Sequence, residues 1–494
     1  MATETFSPPD DPPVQWPRFA AAIIPTGLAV IAVVILIGMA WPVDIVVLAG
    51  TMVGLLAIRW PEVGLTAMVI AIPLQDSVQG RIGTDDVTFS DAVVVAILCA
   101  WGLRSLLARE WPCLSPVSVT YGLHVGVVAL SVLAARQTSL WSVETTQWVM
   151  GFGVYVLAHD VLSRRRGAIA AIVLVTVVGT TVLSGYAFYQ VQSSAGPESF
   201  RLDGVTRAFA TFRHPNVFAG YLDLTVPLAL AIACGWLGCP RGWEKLAGWP
   251  RFGIGIPASV AVVAGFGGAV TSQSRGGWLG LLVGCGLVIW LTGGPVRLFA
   301  ICGGLALAIL VLASPVGSQI TGRIAASSVE AGQATLVTPE NFAVQERLAH
   351  WRAGVAMARE HPWLGVGAGN YKERFREFTP SWRFRVARSH AHNAFIHAAA
   401  QTGLVGFATY SLAVGTIAWR LRRGLRATRG TPASVVVIGV TGACAAFFTH
   451  GLFDYLHAYD LPKLLGITVA LGEAVARRPG PGPWRRPTRR TGYD

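Results

Sequence analysis

The run RRRGAIAAIVLVTVVGTTVLSGYAFY, residues 164–189, decides the fold. Three arginines are followed by an uncharged stretch, Gly167 to Tyr189, dominated by Val, Ala, Thr and other small or apolar residues. A helix that crosses a bilayer needs about 20 mostly apolar residues. Hydrocarbon tolerates no unsatisfied backbone, so the stretch reads as a transmembrane helix with its basic flank left in water. The pattern repeats in both directions. Apolar blocks fall near 19–41, 43–58, 61–75, 88–108, 119–136, 145–162, 167–189, 214–238, 253–272, 276–292, 296–314, 393–419, 433–453 and 460–476. Blocks 43–58 and 61–75 are short and read as one span or a re-entrant pair. The expected fold is an all-α polytopic membrane bundle of about 12–14 spans.

Composition agrees. Of 494 residues, 53% are hydrophobic and 13% charged, where soluble domains carry roughly 25% charged residues. The net charge of +13 would suggest nucleic acid in a soluble protein. Here the positive-inside rule explains it better, because the basic residues crowd into short loops between apolar blocks. With the N-terminus in the cytoplasm, cytoplasmic loops hold Arg59, Arg104, Arg109, Arg164, Arg165, Arg166, Arg241, Lys245, Arg251, Arg297, Arg420, Arg422, Arg423, Arg426 and Arg429. The opposite side receives 75–86, the acidic turn 454–460 and the long segment 315–391.

The expected organisation is a disordered cytoplasmic N-terminus (1–18), membrane helices (19–314), a long extracytoplasmic loop (315–391), C-terminal membrane helices (392–476) and a basic cytoplasmic tail (477–494). The first block is too long for a signal-peptide core and reads as a retained span. The seven cysteines make neither a metal spacing nor a disulfide framework and read as small packing residues. Within the long loop, 345–360 reads as a helix with a rough apolar stripe of Leu348, Trp351, Val355 and Met357. Residues 361–370 read as a helix stop and Gly-rich turn. The stretch 371–384, basic and aromatic, reads as a membrane-surface segment.

Under this topology the polar residues at span ends collect on the extracytoplasmic side: Arg207, Arg213, His214, Asn216, Ser272, Ser274, Arg275, Arg347, His350, His390, His392, Asn393, His450 and Asp454. Ionisable groups at membrane depth are costly and by default suggest function. Arginines and histidines with few acids suit an anionic ligand such as phosphate, which Arg binds bidentately, and His exchanges a proton near neutral pH. His390 and His397 read as bystanders, and Gly403 and Gly406 as helix-packing residues.

These residues carry a resemblance. HNAFIHAAAQTGLVG (392–406) resembles the HN-x9-G-x-x-G signature of the O-antigen ligase/polymerase family. RAFATFRHPNVFAG (207–220), Ser274-Arg275-Gly276, Arg347-x3-Trp351 with Gly365-Val-Gly367, and His450-x3-Asp454 resemble further elements of that family, in its order. The resemblance covers roughly 200–460. Gln401 departs from it, standing where many members have Glu.

The resemblance implies a GT-C-like, metal-independent glycosyltransferase with no cofactor, in the bacterial inner (cytoplasmic) membrane, its active site on the periplasmic side. The donor would be a glycan on undecaprenyl diphosphate. The acceptor would be a glycan, lipid-core or protein hydroxyl during surface polysaccharide or lipopolysaccharide assembly, with no nucleic acid involved. His392, Arg347 and Arg275 would be catalytic, and Arg207, Arg213, His214, Asn393, His450 and Asp454 would bind substrate. An O-antigen ligase-like activity leads. A polymerase or a protein O-glycosyltransferase differs from it only in the acceptor. A polysaccharide or lipid transporter is the reading from another class, and it would show repeated halves and broken helices at mid-membrane; no such repeat is visible. A structural scaffold would not collect arginines and histidines on one side.

Overall fold

A computed structural model describes residues 43–75, 79–82, 85–202, 204–238, 254–294, 297–298, 301–304, 342–379, 384, 388–457 and 459–477. The expected span 19–41, most of the block 296–314, and the termini 1–18 and 478–494 lie outside the described residues. The helices are α1 (Val43–Arg59), α2 (Pro61–Ala71), α3 (Phe89–Ala108), α4 (Pro116–Leu130), α5 (Thr138–Arg164), α6 (Arg166–Gln192), α7 (Pro215–Gly238), α8 (Gly255–Ser272), α9 (Arg275–Thr292), α10 (Phe342–Glu360), α11 (Tyr371–Phe378), α12 (Ala394–Ala427), α13 (Ala433–His450) and α14 (Leu461–Arg477). Two small antiparallel hairpins interrupt them: β1 (Gln79–Ile82) with β2 (Asp85–Thr88), and β3 (Arg201–Leu202) with β4 (Val205–Thr206). Among the described residues, eight helices are long and apolar enough to cross a membrane. The chain is an all-α polytopic membrane protein.

The helix ends follow local chemistry. Thr88 caps α3 in a capping box with Asp91, and Ser115 caps α4 just before Pro116; these side chains satisfy the orphan N–H groups of a first turn. The two short blocks form separate helices. Gly64 of α2 lies so close to Ala57 of α1 that an added Cβ would sit 2.7 Å from the alanine Cβ, so the pair folds back on itself and is not one continuous span.

One end of the bundle gathers the basic loops. Arg104 donates to the Ile58 carbonyl, Arg164 reaches Glu110 and the Trp111 carbonyl, and Arg165 pairs with Glu62. Arg477 donates to the Leu114 carbonyl and Arg420 pairs with Glu473. At the other end α7, α9 and α12 begin and α8 and α13 finish.

Over that second end sits a small module. Ala353, Met357, Val366, Tyr371, Phe375, Ala391 and Ala400 form its core. The stretch that reads as a membrane-surface segment is therefore anchored inward: Tyr371 and Phe375 are fully buried, because at four-residue spacing both fall on the α11 face that meets α10. The expected apolar stripe of α10 also divides. Met357 turns into the core, while Leu348, Trp351 and Val355 line an outer groove.

The module is joined to the bundle by a break in α12. Gly403 has φ 68° and ψ −168°, a region essentially restricted to glycine. Into the break fits the Gly-rich run: Val366 N–H donates to the Ala400 carbonyl at 2.9 Å, Gly367 N–H to the Gln401 carbonyl at 3.0 Å, and Leu404 N–H to the Pro362 carbonyl at 2.7 Å. Gly365, Gly367 and Gly369 all have positive φ. Gly403 thus serves packing, through a kink rather than a smooth helix face.

Candidate active site

The centre of the second end is Asp454, in the turn after α13. Its side chain is 8% exposed and receives bonds from several directions. His392 Nδ1 lies 3.1 Å from Oδ1, the Tyr455 N–H donates to Oδ1 at 2.9 Å, and Asn216 Nδ2 donates to Oδ2 at 2.5 Å. Asn216 is held in turn by Arg207, which donates to its Oδ1 at 3.0 Å and to the Ser272 carbonyl at 3.1 Å. The α8 end, the α7 start and the segment before α12 thus converge on one carboxylate.

His392 sits on the residue before the α12 cap, with φ 52°. Trp351 of α10 donates its indole N–H to the His392 carbonyl at 3.2 Å, and the His392 N–H donates to His390 Nδ1 at 3.3 Å. Because the Asp454 carboxylate accepts, the imidazole proton belongs on Nδ1. Nε2 is then the lone-pair nitrogen, and it is buried with no hydrogen-bond partner among the described residues, as is Arg347 Nε.

Electrostatics follow from this crowd. Burial pushes the Asp454 carboxyl up, but the hydrogen bond from His392 and the Arg347 guanidinium help to outweigh it and hold it well below the usual carboxylate range. Burial pushes His390 down to about 3 against the pull of Asp454. His214 falls to about 4 and His350 to about 3, again chiefly by burial. Near neutral pH these three imidazoles are neutral.

The other expected residues are placed as follows. Asn393 caps α12, accepting the Phe395 and Ile396 N–H groups at 3.0 Å each and donating to the Leu452 carbonyl at 2.9 Å; its amide fixes backbone. His450 does not pair with Asp454. It is buried in the bundle, with Nδ1 2.6 Å from Asp223 Oδ2, because α13 ends at His450 and Asp454 lies beyond it on a turn. Arg275 opens α9 behind the cap Ser274, and the next residue, Gly276, lies against the His450 ring. Arg213 is exposed on the turn before α7, and His214 Nδ1 accepts the Asn216 N–H at 3.1 Å. Gln401, 4% exposed, lends its backbone carbonyl to the Gly-rich run.

Two residues without a role in the sequence reading stand at the centre. Asn216 bridges Arg207 and Asp454, and its place among the polar span-end residues, within the 207–220 run, was its sequence signal. His390, read as a bystander, has its ring 4.4 Å from that of His392. His390, His392 and Asp454 bring one donor atom each within 4.8 Å of the others, a layout a cation could bridge. Those atoms already serve one another: His390 Nδ1 takes the His392 N–H, and Asp454 takes His392, Asn216 and the Tyr455 N–H. A cation would have to displace these bonds.

Residues 260–411 match the model of the O-antigen ligase family. The match runs from α8 into α12, so it includes Arg275, Arg347, His392 and Asn393 and leaves out Arg207, Asn216, His450 and Asp454. No curated protein matches the chain.

Proposed function

We propose, from the match of residues 260–411 to the O-antigen ligase family model, that the chain transfers a glycan from undecaprenyl diphosphate to an acceptor hydroxyl at the periplasmic face of the bacterial inner membrane. The observation that carries the reading is His392: its Nδ1 is held by Asp454 while its Nε2 stays free. A histidine oriented by a carboxylate is built to take a proton on its other nitrogen. The acceptor hydroxyl gives its proton to Nε2 as its oxygen bonds to the anomeric carbon. The bond from that carbon to the diphosphate oxygen breaks, and its electron pair leaves with the lipid diphosphate. Arg347, and Arg275 at the head of α9, would hold the diphosphate and stabilise its growing charge. A single displacement of this kind inverts the anomeric centre. Arg207 and Asn216 act behind Asp454 as positioning residues.

The reaction needs no metal in this scheme, because the diphosphate is already a good leaving group and arginines meet its charge. The orientation rests on the bundle ends: the basic loops around Arg104, Arg164 and Arg477 lie opposite Asp454, as the positive-inside rule asks of a cytoplasmic side.

The test is transfer from a synthetic undecaprenyl diphosphate glycan by purified full-length protein in excess chelator, for wild type, His392→Ala and Arg347→Ala. Transfer by wild type, with losses of at least about 100-fold in both variants and unchanged thermal unfolding, is expected. Equal rates in all three proteins would overturn the roles. Activity lost to chelator and restored by a divalent ion would make His390, His392 and Asp454 a metal site instead.

A further inference from the structure

One cavity lies outside the Asp454 centre, on the far side of α10. It is an open groove of about 750 Å³ between α10 and the first turn of α12, within the size range of small-ligand sites. Leu348, Val355 and Ile396 give it an apolar floor, Trp351 an aromatic wall, and Arg352 and Arg359 two cations. Seven residues apart, the arginines lie on one helix face about 10 Å apart along the axis. Neither guanidinium has a carboxylate partner among the described residues; Glu360, at the end of the helix, is the one acid lining the groove.

Two contacts join the wall of the groove to the candidate active site. Trp351 lines it and also donates to the His392 carbonyl. Ile396 stands on the first turn of the helix that His392 precedes, against Gly354 of α10, where an added Cβ would meet its Cγ2 at 2.7 Å. Helix α10 therefore brings the His350 ring within 5.5 Å of the His392 ring on one face and carries the groove on the other.

The geometry points to this groove as the docking site of the acceptor, and to an acceptor that is a phosphorylated saccharide. The assignment rests on the proposed transfer reaction. Apolar side chains and an indole suit the C–H faces of a sugar ring, and spaced guanidiniums suit phosphate, which they bind bidentately. The donor diphosphate has its own cations in Arg347 and Arg275, so the groove arginines are left for the other substrate.

The experiment uses full-length protein in detergent and maltose 1-phosphate, maltose and inorganic phosphate as probes in calorimetric titrations. Arg352 and Arg359 are exposed, so Arg352→Ala/Arg359→Ala should fold as wild type does. The double variant is expected to bind maltose 1-phosphate at least about tenfold more weakly. Arg347→Ala should bind it unchanged, and maltose should bind weakly to all three proteins. In transfer assays the same double variant should raise KM for a phosphorylated acceptor and leave kcat and the KM for the donor alone. Equal binding of maltose 1-phosphate by wild type and double variant would overturn the proposal. So would inorganic phosphate binding as tightly as the sugar phosphate, or competition by undecaprenyl diphosphate for the probe. The titrations need no turnover, so failed transfer with intact probe binding would sink the reaction and leave the groove standing.

Discussion

His392 occupies the left-handed region at φ 52°, which costs a non-glycine residue on the order of 1–3 kcal/mol. The surroundings hold it there: Trp351 on its carbonyl, His390 on its N–H and Asp454 on its ring. Asp454→Asn tests whether the carboxylate sets the proton on Nδ1. An amide N–H turned toward Nδ1 would move the proton to Nε2 and remove the free lone pair. The variant should lose about 100- to 10,000-fold in kcat, with little change in KM and near-normal unfolding, and a kcat within a factor of about two of wild type would show that His392 is not oriented in this way. At this scale the sequence was partly legible. His392 stood out through the Asn that follows it, but the four-residue spacing of His450 and Asp454 suggested a pair that the end of α13 prevents. His390 and Asn216 gain their importance only through contacts across the chain, which no local spacing records.

Helix α12 shows what an element must do to bring such a loop into place. Its break at Gly403 meets the carbonyl carbon and oxygen of Trp363 at 2.4 Å from where a Cβ would sit. Gly365 faces the Ala400 carbonyl at the same distance, so the two glycine elements of the sequence interlock. A G-x-x-G spacing alone reads as smooth helix packing, and only the backbone of both partners exposes the kink. Gly403→Ala should therefore distort the seat of the α10–α11 module. It is expected to lower stability by at least about 1–3 kcal/mol and to reduce transfer with it, in thermal unfolding and initial-rate assays. Gly415, further along the same helix, has nothing within 4 Å of an added Cβ, and Gly415→Ala should leave both readouts at wild-type level. Matching behaviour of the two variants would remove the structural role given to the break.

The whole molecule was the most legible level, because bilayer thickness sets element length; the described helix ends fall within a few residues of most expected blocks. What the pattern could not supply was how the ends of the bundle are fastened. Lys463, near the start of α14, is 1% exposed and lies 2.6 Å from Asp91 Oδ1. It also meets Asp460, whose backbone N–H donates to Gln75 Oε1 at 3.0 Å. Three stretches are thereby tied: the turn after α2, the cap of α3 and the segment 454–460 that carries Asp454. In the sequence Lys463 reads only as one charge in an apolar block. Removing one partner of a buried ionic group leaves uncompensated charge and costs about 3–5 kcal/mol, whereas replacing the whole group by neutral side chains is often close to neutral. Lys463→Met should lower the unfolding midpoint in detergent by on the order of 10 °C and should also reduce kcat, since the loosened segment ends at the carboxylate that orients His392. Lys463→Met/Asp91→Asn/Asp460→Asn should recover most of the lost stability. If the single variant unfolds as wild type does, the ionic group is not the fastening. If the triple variant regains stability but not turnover, the charges position Asp454 beyond holding the helices together.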